Sequence, residues 1–324
     1  MKLLLTGGTG FFGKALLRHW CGLAEHGMAT PSVTVLSRSP QVFLERHPEF
    51  AGHAWLRFHR GDILDPQTLP RDSGYTHLLH AATDSTLGPN LTSLQRYTQI
   101  ADGTRHMLDY AVSRGIRRFL LTSSGGAYGP QPPEMEQIPE SYNGMPDPLD
   151  AQHAYSVAKR CAEHLCALYQ SQHDLEPVIA RCFAFAGPDL PQDVHFAIGN
   201  FVRDALGAPE ILVNGDGMPI RSYMDQRDLA HWLYALLSRG RAGQAYNVGS
   251  DAAISIRELA YLVRDLVAPG KDVRIAATPD PAAQSFRNRY VPSIAKARAE
   301  LELTLSYTLD DAIRTMAGLS DAAR

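Results

Sequence analysis

Short apolar runs alternate with longer amphipathic stretches through the first half of the chain. The stretches with helical spacing of apolar residues are most evident at Gln95–Ser113 and Ala154–Gln170. The apolar runs between such stretches predict strands at Lys2–Leu5, Val33–Leu36, Leu56–His59, His77–His80, Phe119–Thr122 and Val178–Arg181. This alternation is typical of a parallel sheet with helices on both faces. We therefore predict an α/β fold with a doubly wound parallel sheet.

The pattern changes after Arg181, where residues 184–222 become rich in Gly, Pro and Asn. Further on, the spacing predicts helices at Phe196–Leu206, Asp228–Ser238, Glu258–Val267 and Ser293–Leu301, and a strand at Ala245–Val248. We predict a main domain over residues 1–183 and a smaller C-terminal lobe over most of 184–324. Residues near 225–250 are expected to rejoin the main sheet.

A glycine-rich turn directly follows the first predicted strand. It reads Thr6-Gly7-Gly8-Thr9-Gly10-Phe11-Phe12-Gly13 and leads into a helical pattern. Glycine allows a tight turn and a close backbone approach to a ligand, and the N-terminus of a helix offers free N–H groups to a diphosphate. The turn therefore indicates a Rossmann-type dinucleotide site, although its Gly-x-x-Gly-x-x-Gly spacing is not the usual one. Its candidate cofactor contacts are Gly7, Gly10, Phe11, Phe12 and Gly13.

A tyrosine and a lysine lie four residues apart in the predicted helix Ala154–Gln170. They are Tyr155 and Lys159, and this spacing places both on one face of a helix. An ammonium beside a phenol favours the phenolate, so we expect Lys159 to lower the pKa of Tyr155. A tyrosine with a lowered pKa can pass a proton to or from an alcohol or carbonyl near neutral pH.

Composition and charge exclude several classes of function. The formal net charge of −3 creates no field that favours nucleic acid or anionic membranes, and no apolar stretch reaches the length of a membrane span. The N-terminus has no signal-peptide layout. The four cysteines and thirteen histidines form no metal-binding spacing. We therefore expect a cytoplasmic protein with no metal site and no nucleic-acid or membrane partner.

Six segments, in this order, match one family. The chain resembles the extended short-chain dehydrogenase/reductases, the NAD(P)-dependent epimerase/dehydratase family that acts on nucleotide-diphosphate sugars, over nearly its whole length. The matching segments are Thr6–Gly13, Gly61–Ile63, His80–Ala82, Thr122–Gly129, Tyr155–Lys159 and Gly215–Tyr223. The resemblance implies a nucleotide-diphosphate sugar as substrate, bound by the C-terminal lobe.

The resemblance assigns the catalytic roles to a Ser-Tyr-Lys trio. Tyr155 would be the acid/base, Lys159 would hold the nicotinamide ribose, and Ser124 would hydrogen-bond the reacting oxygen. Ser123 is the adjacent candidate and ranks lower, because the family pattern places the reacting position four residues before Tyr128. Tyr128 is either a residue of the sugar pocket or a packed aromatic.

The resemblance also implies contacts with the adenosine half of the cofactor. Asp62 would accept from the adenine amino group with help from the Ile63 backbone. The small residues at the end of the fourth predicted strand would let the cofactor lie close; they are Ala81, Ala82 and Thr83.

The end of the second predicted strand favours NADP over NAD. NAD-preferring sites usually carry an acidic residue there, whereas this chain has Ser37 and Arg38, which could accept a 2′-phosphate. Arg38 could instead stack on the adenine, which would suit either cofactor.

Three further residues are candidates for the substrate. Arg221 would pair with the substrate diphosphate, because a guanidinium matches phosphate oxygens as a fork; the alternative is a surface salt bridge. Arg289 is a second candidate for the diphosphate, and Asn200 is another candidate substrate contact.

The chain departs from the family pattern in two places. Dehydratases and decarboxylases of this family carry acidic residues just after the reacting serine or threonine, where this chain has Gly125 and Gly126. Many relatives place asparagine where Ala184 stands, which points to a changed substrate pose. Because elimination of water needs an additional acid and base, which glycine at positions 125 and 126 cannot supply, we expect this chain to be neither a dehydratase nor a decarboxylase.

Three functions remain open. The first is an NADPH-dependent 4-ketoreductase of a nucleotide-linked deoxysugar, and the second is a nucleotide-sugar 4-epimerase with tightly bound NAD. The third is a non-catalytic NADP-binding regulator, although such proteins often lack the tyrosine or the lysine. The resemblance also implies a homodimer formed through the helices Gln95–Ser113 and Ala154–Gln170.

Overall fold

The computed structural model describes residues 1–83, 91–192, 196–278 and 289–319. Its strands are β1 Lys2–Thr6, β2 Ser32–Ser37, β3 Leu56–Arg60, β4 His77–His80, β5 Arg118–Ser124, β6 Glu176–Cys182, β7 Phe185–Ala186, β8 Glu210–Val213, β9 Ile220–Arg221, β10 Met224–Asp225, β11 Ala245–Val248, β12 Ile254–Ser255, β13 Asp272–Ile275 and β14 Arg289–Tyr290. Its α-helices are α1 Phe11–Glu25, α2 Pro40–Arg46, α3 Ser93–Ser113, α4 Ala154–Gln172, α5 Ala197–Gly207, α6 Gln226–Arg239, α7 Ile256–Val267, α8 Ala295–Leu301 and α9 Leu309–Met316.

Seven parallel strands form the central sheet, in the order β11-β6-β5-β4-β1-β2-β3. The chain starts in the middle and winds outward in both directions, so the strand order reverses between β1 and β4. Ligands in such sheets bind beyond the carboxyl ends of the strands at this point of reversal. The predicted α/β, doubly wound parallel sheet is confirmed, and each predicted strand is present.

Two apolar clusters cover the faces of this sheet. Leu3 and Leu5 of β1 pack with Trp20 of α1 and Trp232 of α6, whereas Leu4 points to the opposite cluster with α3 and α4. This division follows from the period of two along a strand. Because both faces are buried, β1 is a continuous apolar run rather than an alternating one.

A third cluster forms the smaller lobe from α5, α7 and α9 with the pair β8 and β13. Beside it, β9 lies between β12 and β14 in a three-stranded sheet. The chain returns to the main domain in between, since α6 packs on α1 and β11 pairs with β6. We retain the division into 1–183 with about 225–250 and a lobe from the rest of 184–324 as a proposal.

Sequence analysis missed the helices α2 and α9. The first begins at Pro40, a residue that suits the first position of a helix. The second begins with a capping box in which Thr308 and Asp311 satisfy each other's backbone N–H groups. Both signals are visible in the sequence.

Candidate active site

The glycine turn after β1 leaves no room for side chains. Gly7 has a φ of +71°, and a Cβ at this position would lie 2.3 Å from the carbonyl oxygen of Ala81 at the end of β4. Gly10 is the N-cap of α1, where no side chain caps the helix and the first turn has no acidic residue. The first N–H groups of α1 are therefore suited to an anion such as a diphosphate.

A cavity of about 410 Å³ lies beside this turn. The candidate cofactor residues that line it are Gly7, Gly10, Ser37, Arg38, Asp62, Ile63, Ala81, Ala82 and Thr83. The structure therefore brings together residues from the ends of β1, β2, β3 and β4. Their shared placement at the carboxyl edge of the sheet is what the strand order predicts.

The other candidate cofactor residues of the glycine turn do not line this cavity; they are Phe11, Phe12 and Gly13. The Phe12 ring meets Phe185 edge-on at 5.2 Å between centroids, and Phe11 lies at 6.4 Å from the same ring. A Cβ on Gly13 would lie 2.2 Å from the backbone of Gly8. The side chains at 11 and 12 thus pack against β7, and Gly13 lets α1 approach the turn closely.

Sequence analysis missed a second arginine of this cavity. Arg46 in the last turn of α2 lines it together with Arg38. Neither guanidinium forms a hydrogen bond or an ion pair with another residue that the structure describes. The lining carboxylate is Asp62, which accepts from the backbone N–H of Leu64 at 2.9 Å. The wall near Arg38 and Arg46 is therefore positively charged.

A buried hydrogen-bonded pair fixes the end of β4 beside Gly7. The Thr6 hydroxyl accepts from the N–H groups of Ala81 and Ala82, each at 3.2 Å, and lies 2.8 Å from Nδ1 of His80. Burial lowers the pKa of His80 to about 3, so the ring is neutral near neutral pH and can accept the hydroxyl proton. The floor of the cavity is thus held by satisfied polar groups.

Lys159 is buried at the junction of β4, β5 and α4. Its Nζ donates to the carbonyl oxygen of Thr122 at 2.8 Å and to the hydroxyl of Thr83 at 2.9 Å. Burial lowers the pKa of the lysine to about 8. Because Thr83 also lines the cavity, Lys159 lies between the cofactor cavity and Tyr155.

The structure contradicts the predicted pKa of Tyr155. Burial raises this pKa to about 12, while Ser124 and Arg96 counteract the shift in part. Lys159 is not among the groups that lower it: the ammonium lies 5.7 Å from the centre of the tyrosine ring and is bound to Thr83 and Thr122. The prediction that Lys159 lowers this pKa is wrong for the protein without its ligands.

The two adjacent serines at the end of β5 face opposite sides, as alternation along a strand requires. Ser124 accepts from the N–H of Gly126 at 3.0 Å and interacts with the phenol of Tyr155. Ser123 donates to Glu163, whose carboxylate pairs with Arg181 at 2.7 Å. Only Ser124 therefore lies beside Tyr155.

Tyr128 is a packed aromatic, the second of the two alternatives. It is 1% exposed, and its hydroxyl donates to Asn247 at 2.8 Å. Its ring lies 4.5 Å from the guanidinium of Arg181, and burial raises its pKa to about 12. In this structure Tyr128 is therefore held by Asn247 and Arg181 and does not line the cofactor cavity.

Two of the candidate substrate residues lie on paired strands, Arg221 on β9 and Arg289 on β14, and the third, Asn200, lies on α5. Arg221 on β9 is partly buried; its Nη1 donates to the Ile220 carbonyl at 2.8 Å, and burial lowers its pKa. Arg289 on β14 donates to the carbonyl of Glu136 at 2.7 Å. Asn200 on α5 accepts from Arg203 at 3.3 Å. Arg221 is the register partner of Tyr290 in the pair of β9 and β14, and the contacts of Arg289 and Asn200 given above do not involve Ser124.

Tyr290 on β14 is a site residue that sequence analysis did not select. Its ring lies 4.6 Å from that of Phe183, and its hydroxyl lies 3.5 Å from the carbonyl oxygen of Cys182. Burial raises the pKa of this phenol, and Ser124 counteracts the shift in part. A Cβ on Gly125 would lie 2.6 Å from this hydroxyl and 2.7 Å from the Phe183 ring. No local signal in the sequence separates Tyr290 from its neighbour Arg289, because only the tertiary structure brings β14 to the end of β5.

Within residues 1–83, 91–192, 196–278 and 289–319, no three His, Cys, Asp or Glu side chains are grouped so that they could hold a metal ion. No helix in the same ranges is long and apolar enough to cross a membrane.

The fold and the site together define a nicotinamide-dinucleotide enzyme of the extended short-chain dehydrogenase/reductase type. The model of the NAD dependent epimerase/dehydratase family matches residues 3–249, and the chain belongs to this family. The family prediction made from the six segments is confirmed.

Similar proteins include enzymes that act on different nucleotide sugars. The chain is 30% identical to UDP-glucuronic acid decarboxylase 3 of Arabidopsis thaliana over 93% of its own length and 83% of that protein. It is 27% identical to dTDP-glucose 4,6-dehydratase of Streptomyces griseus over 83% and 79% of the two chains. A solved structure of the dTDP-glucose 4,6-dehydratase DesIV from Streptomyces venezuelae, with NAD bound, superposes with a TM-score of 0.81 at 25% identity over 98% and 96% of the chains.

Proposed function

We propose that the protein is an NADPH-dependent 4-ketoreductase whose substrate is a nucleotide-diphosphate-linked deoxysugar. The observation that carries the choice of cofactor is the pair Arg38 and Arg46 in the cavity beside the glycine turn. A 2′-phosphate adds negative charge to the adenosine ribose, and two guanidinium groups without an ion-pair partner among the described residues suit it. The narrow turn at Gly7 and the N-terminus of α1 suit the diphosphate of the same cofactor.

The reducing step needs a hydride and a proton. NADPH, when bound, would supply the hydride for the sugar carbonyl carbon. Tyr155 donates its phenolic proton to the carbonyl oxygen, and Ser124 hydrogen-bonds the same oxygen. A pKa near 12 keeps Tyr155 protonated at neutral pH, which suits a proton donor. Lys159, which is bound to Thr83 and Thr122, would hold the ribose next to the nicotinamide.

The surroundings of Ser124 disfavour elimination reactions. Positions 125 and 126 are glycines, and added side chains would collide with Tyr290 and Phe183 at the first and with Ser156 at the second. An acid at either position would need the neighbouring side chains to move. The relatives that dehydrate or decarboxylate their sugars therefore do not determine the reaction of this chain.

The surroundings of Arg221 favour a substrate that carries a diphosphate. Arg221 is partly buried, burial lowers its pKa, and among the described residues it interacts with backbone and with tyrosines rather than with carboxylates. A guanidinium without a carboxylate partner is well suited to a phosphate group, because its fork of N–H groups can donate to two phosphate oxygens. The identity of the nucleoside and of the sugar is left to experiment.

The test has two parts. The cofactor of the purified protein is released by denaturation and identified, and NADPH oxidation is then measured with 4-keto-6-deoxy sugars linked to dTDP, UDP, GDP and CDP. We expect little retained cofactor and NADPH oxidation in proportion to one of these substrates. Stoichiometric NAD with interconversion of 4-epimers would instead show an epimerase. Absence of turnover in every case would contradict the reductase.

We also propose a homodimer formed by α3 and α4. The two helices pack side by side. Val157, Cys161 and Leu168 follow one another along α4 at helical spacing and are each partly or fully exposed. A second copy of the same pair would cover this apolar stripe in a four-helix arrangement.

A further inference from the structure

A histidine also lines the cofactor cavity, beside the two arginines. His47 follows Arg46 directly and lines the same cavity as Arg38. Its Nδ1 lies 3.4 Å from Oε1 of Glu49, and Glu49 in turn pairs with Arg18 at 3.2 Å. Its Nε2 forms no hydrogen bond with any residue that the structure describes. One ring nitrogen is therefore held by a carboxylate, and the other is available to a ligand.

The position of Glu49 determines which edge of the imidazole a ligand would meet. The two nitrogens of an imidazole point away from each other, and Glu49 does not line the cavity whereas His47 does. Two aromatic rings fix the imidazole in place, Phe43 at 4.9 Å and Phe50 at 6.1 Å between ring centroids. A ligand in the cavity therefore meets the edge of the ring that carries Nε2.

The same carboxylate decides when Nε2 can donate a hydrogen bond. A carboxylate only accepts, so Glu49 favours the tautomer of His47 in which Nδ1 carries the proton. In the neutral ring Nε2 is then an acceptor and disfavours an anion, whereas in the protonated ring it is a charged donor. His47 is also the C-cap of α2, where the helix carbonyl groups favour a cation. Protonation therefore changes Nε2 from a group that repels a phosphate to one that binds it.

The charges around His47 favour an anion over a neutral group. Apart from Glu49, the charged groups on the segments around the ring are Arg18 of α1, Arg38 after β2, Glu45 and Arg46 of α2, Arg60 of β3, and Asp62. Arginines outnumber carboxylates in this set. A phosphate monoester, which carries up to two negative charges, therefore suits this end of the cavity better than an uncharged ring does.

We propose that His47 is a pH-dependent ligand of the 2′-phosphate of NADPH, with Nε2 as the donor and Glu49 as the residue that holds the ring. The inference rests on the proposed function, because it deepens the choice of NADPH as the cofactor. Histidine side chains ordinarily gain their charge as the pH falls through about 6.5. The part of the preference for NADPH that comes from His47 therefore grows as the pH falls.

The test measures binding of the adenosine end of the cofactor alone. The affinities of 2′,5′-ADP, which carries the 2′-phosphate, and of 5′-AMP, which lacks it, are measured by calorimetry on the full chain freed of retained cofactor. His47→Asn leaves an amide that can donate to Glu49 but has no group at the position of Nε2. The substitution should weaken 2′,5′-ADP about 10-fold at about pH 6 and about 2-fold at most at about pH 8.5. The 2′-phosphate also loses charge near pH 6, but this loss is common to both proteins and cancels in the comparison.

Two comparisons isolate the effect of His47 on the phosphate. The affinity of 5′-AMP should change by about 2-fold at most in His47→Asn at either pH. His173, an exposed histidine after α4 that does not line the cavity, is the matched control, and His173→Asn should leave all four affinities unchanged. Equal losses for 2′,5′-ADP and 5′-AMP in His47→Asn would show that His47 contacts the adenine. A loss that is the same at both pH values, or no loss, would show that the charge of His47 does not bind the phosphate. Each of these results overturns the proposal.

The result is separate from that of the reductase assay. A wild-type protein that binds 2′,5′-ADP no more tightly than 5′-AMP would contradict both the choice of NADPH and the role of His47. If the wild type prefers 2′,5′-ADP but His47→Asn does not alter this preference, only the role of His47 fails. If the binding results are as expected but none of the 4-keto sugars is reduced, only the reductase fails.

Discussion

At the scale of single residues, burial decides the ionisation of the groups around the site. His80, Tyr155 and Lys159 each have a pKa shifted toward the neutral form, and desolvation is the largest cause in each case. The sequence predicted that Tyr155 and Lys159 would share a helix face. It could not predict that the ammonium would be bound to Thr83 and Thr122, because those contacts join β4 and β5 to α4.

Arg38→Ala tests the choice of cofactor. Loss of one charged hydrogen-bond donor near the 2′-phosphate should weaken NADPH binding about 10- to 100-fold and change NADH binding by about 3-fold at most. Binding is measured by the fluorescence of each reduced cofactor. Arg57→Ala, an exposed arginine of β3 outside the cavity, is the control. Equal losses for NADPH and NADH would indicate that Arg38 stacks on the adenine.

His80→Asn tests the buried neutral histidine. The folded-state pKa of about 3 lies below that of an unfolded histidine, so the unfolded chain takes up a proton first as the pH falls. Stability from this group is complete above about pH 6.5 and declines below it, by about 2 kcal/mol from pH 7 to pH 5. The Asn variant keeps an acceptor for Thr6 but cannot be protonated, so its free energy of unfolding in urea should fall about 2 kcal/mol less over that interval. A His80→Asn profile that follows the wild type would mean that His80 is protonated in the folded protein.

At the scale of elements, the unit β1, turn and α1 is determined almost completely by local sequence. The apolar run, the glycines and the amphipathic helix each appear where they were predicted, because each depends on neighbours a few residues away. Partners far along the chain were not predictable. The collision that forbids a side chain at Gly7 involves Ala81, and Arg46 reaches the cavity from α2, which packs against β3.

Gly7→Ala should destabilise the protein by about 2 kcal/mol or more, since alanine resists a positive φ and its Cβ meets the Ala81 carbonyl. Cofactor binding should also be lost. Gly22→Ala in α1 is the control: nothing lies within 4 Å of its added Cβ, so it should stabilise by about 0.5–1 kcal/mol. Urea unfolding and NADPH titration of both variants measure this. Equal effects of the two substitutions would contradict a special role for Gly7.

At the scale of the whole molecule, the site is assembled from both parts of the chain. The cofactor cavity belongs to the central sheet, whereas Arg221 and Tyr290 belong to the three-stranded sheet of β12, β9 and β14. Sequence analysis selected Arg221 through the family pattern and missed Tyr290. The difference arises because Arg221 lies in a matching segment, whereas Tyr290 is defined only by its distance from Gly125.

Leu168→Glu tests the proposed dimer. Leu168 is 40% exposed on α4, and a carboxylate buried between two copies would be desolvated without a partner. We expect the variant to dissociate at a protein concentration at least about 10-fold higher than the wild type does. Light scattering over a dilution series measures this. Leu206→Glu on α5, where the wild-type residue is 55% exposed, should leave the dimer intact. A wild-type protein that is monomeric throughout would contradict the arrangement.

The sequence alone determined the alternation of strands and helices, the glycine turn and the family, and the resemblance to that family led to the proposal of the Ser-Tyr-Lys trio. These follow from short-range periodicity and from motifs with fixed spacing. The tertiary structure decided which serine faces Tyr155, that Tyr128 is packed, that Arg46 joins Arg38, and that Tyr290 fills the space beside Gly125. The physical reason is that desolvation and collision depend on contacts between residues far apart in the chain, which only the packed fold brings together.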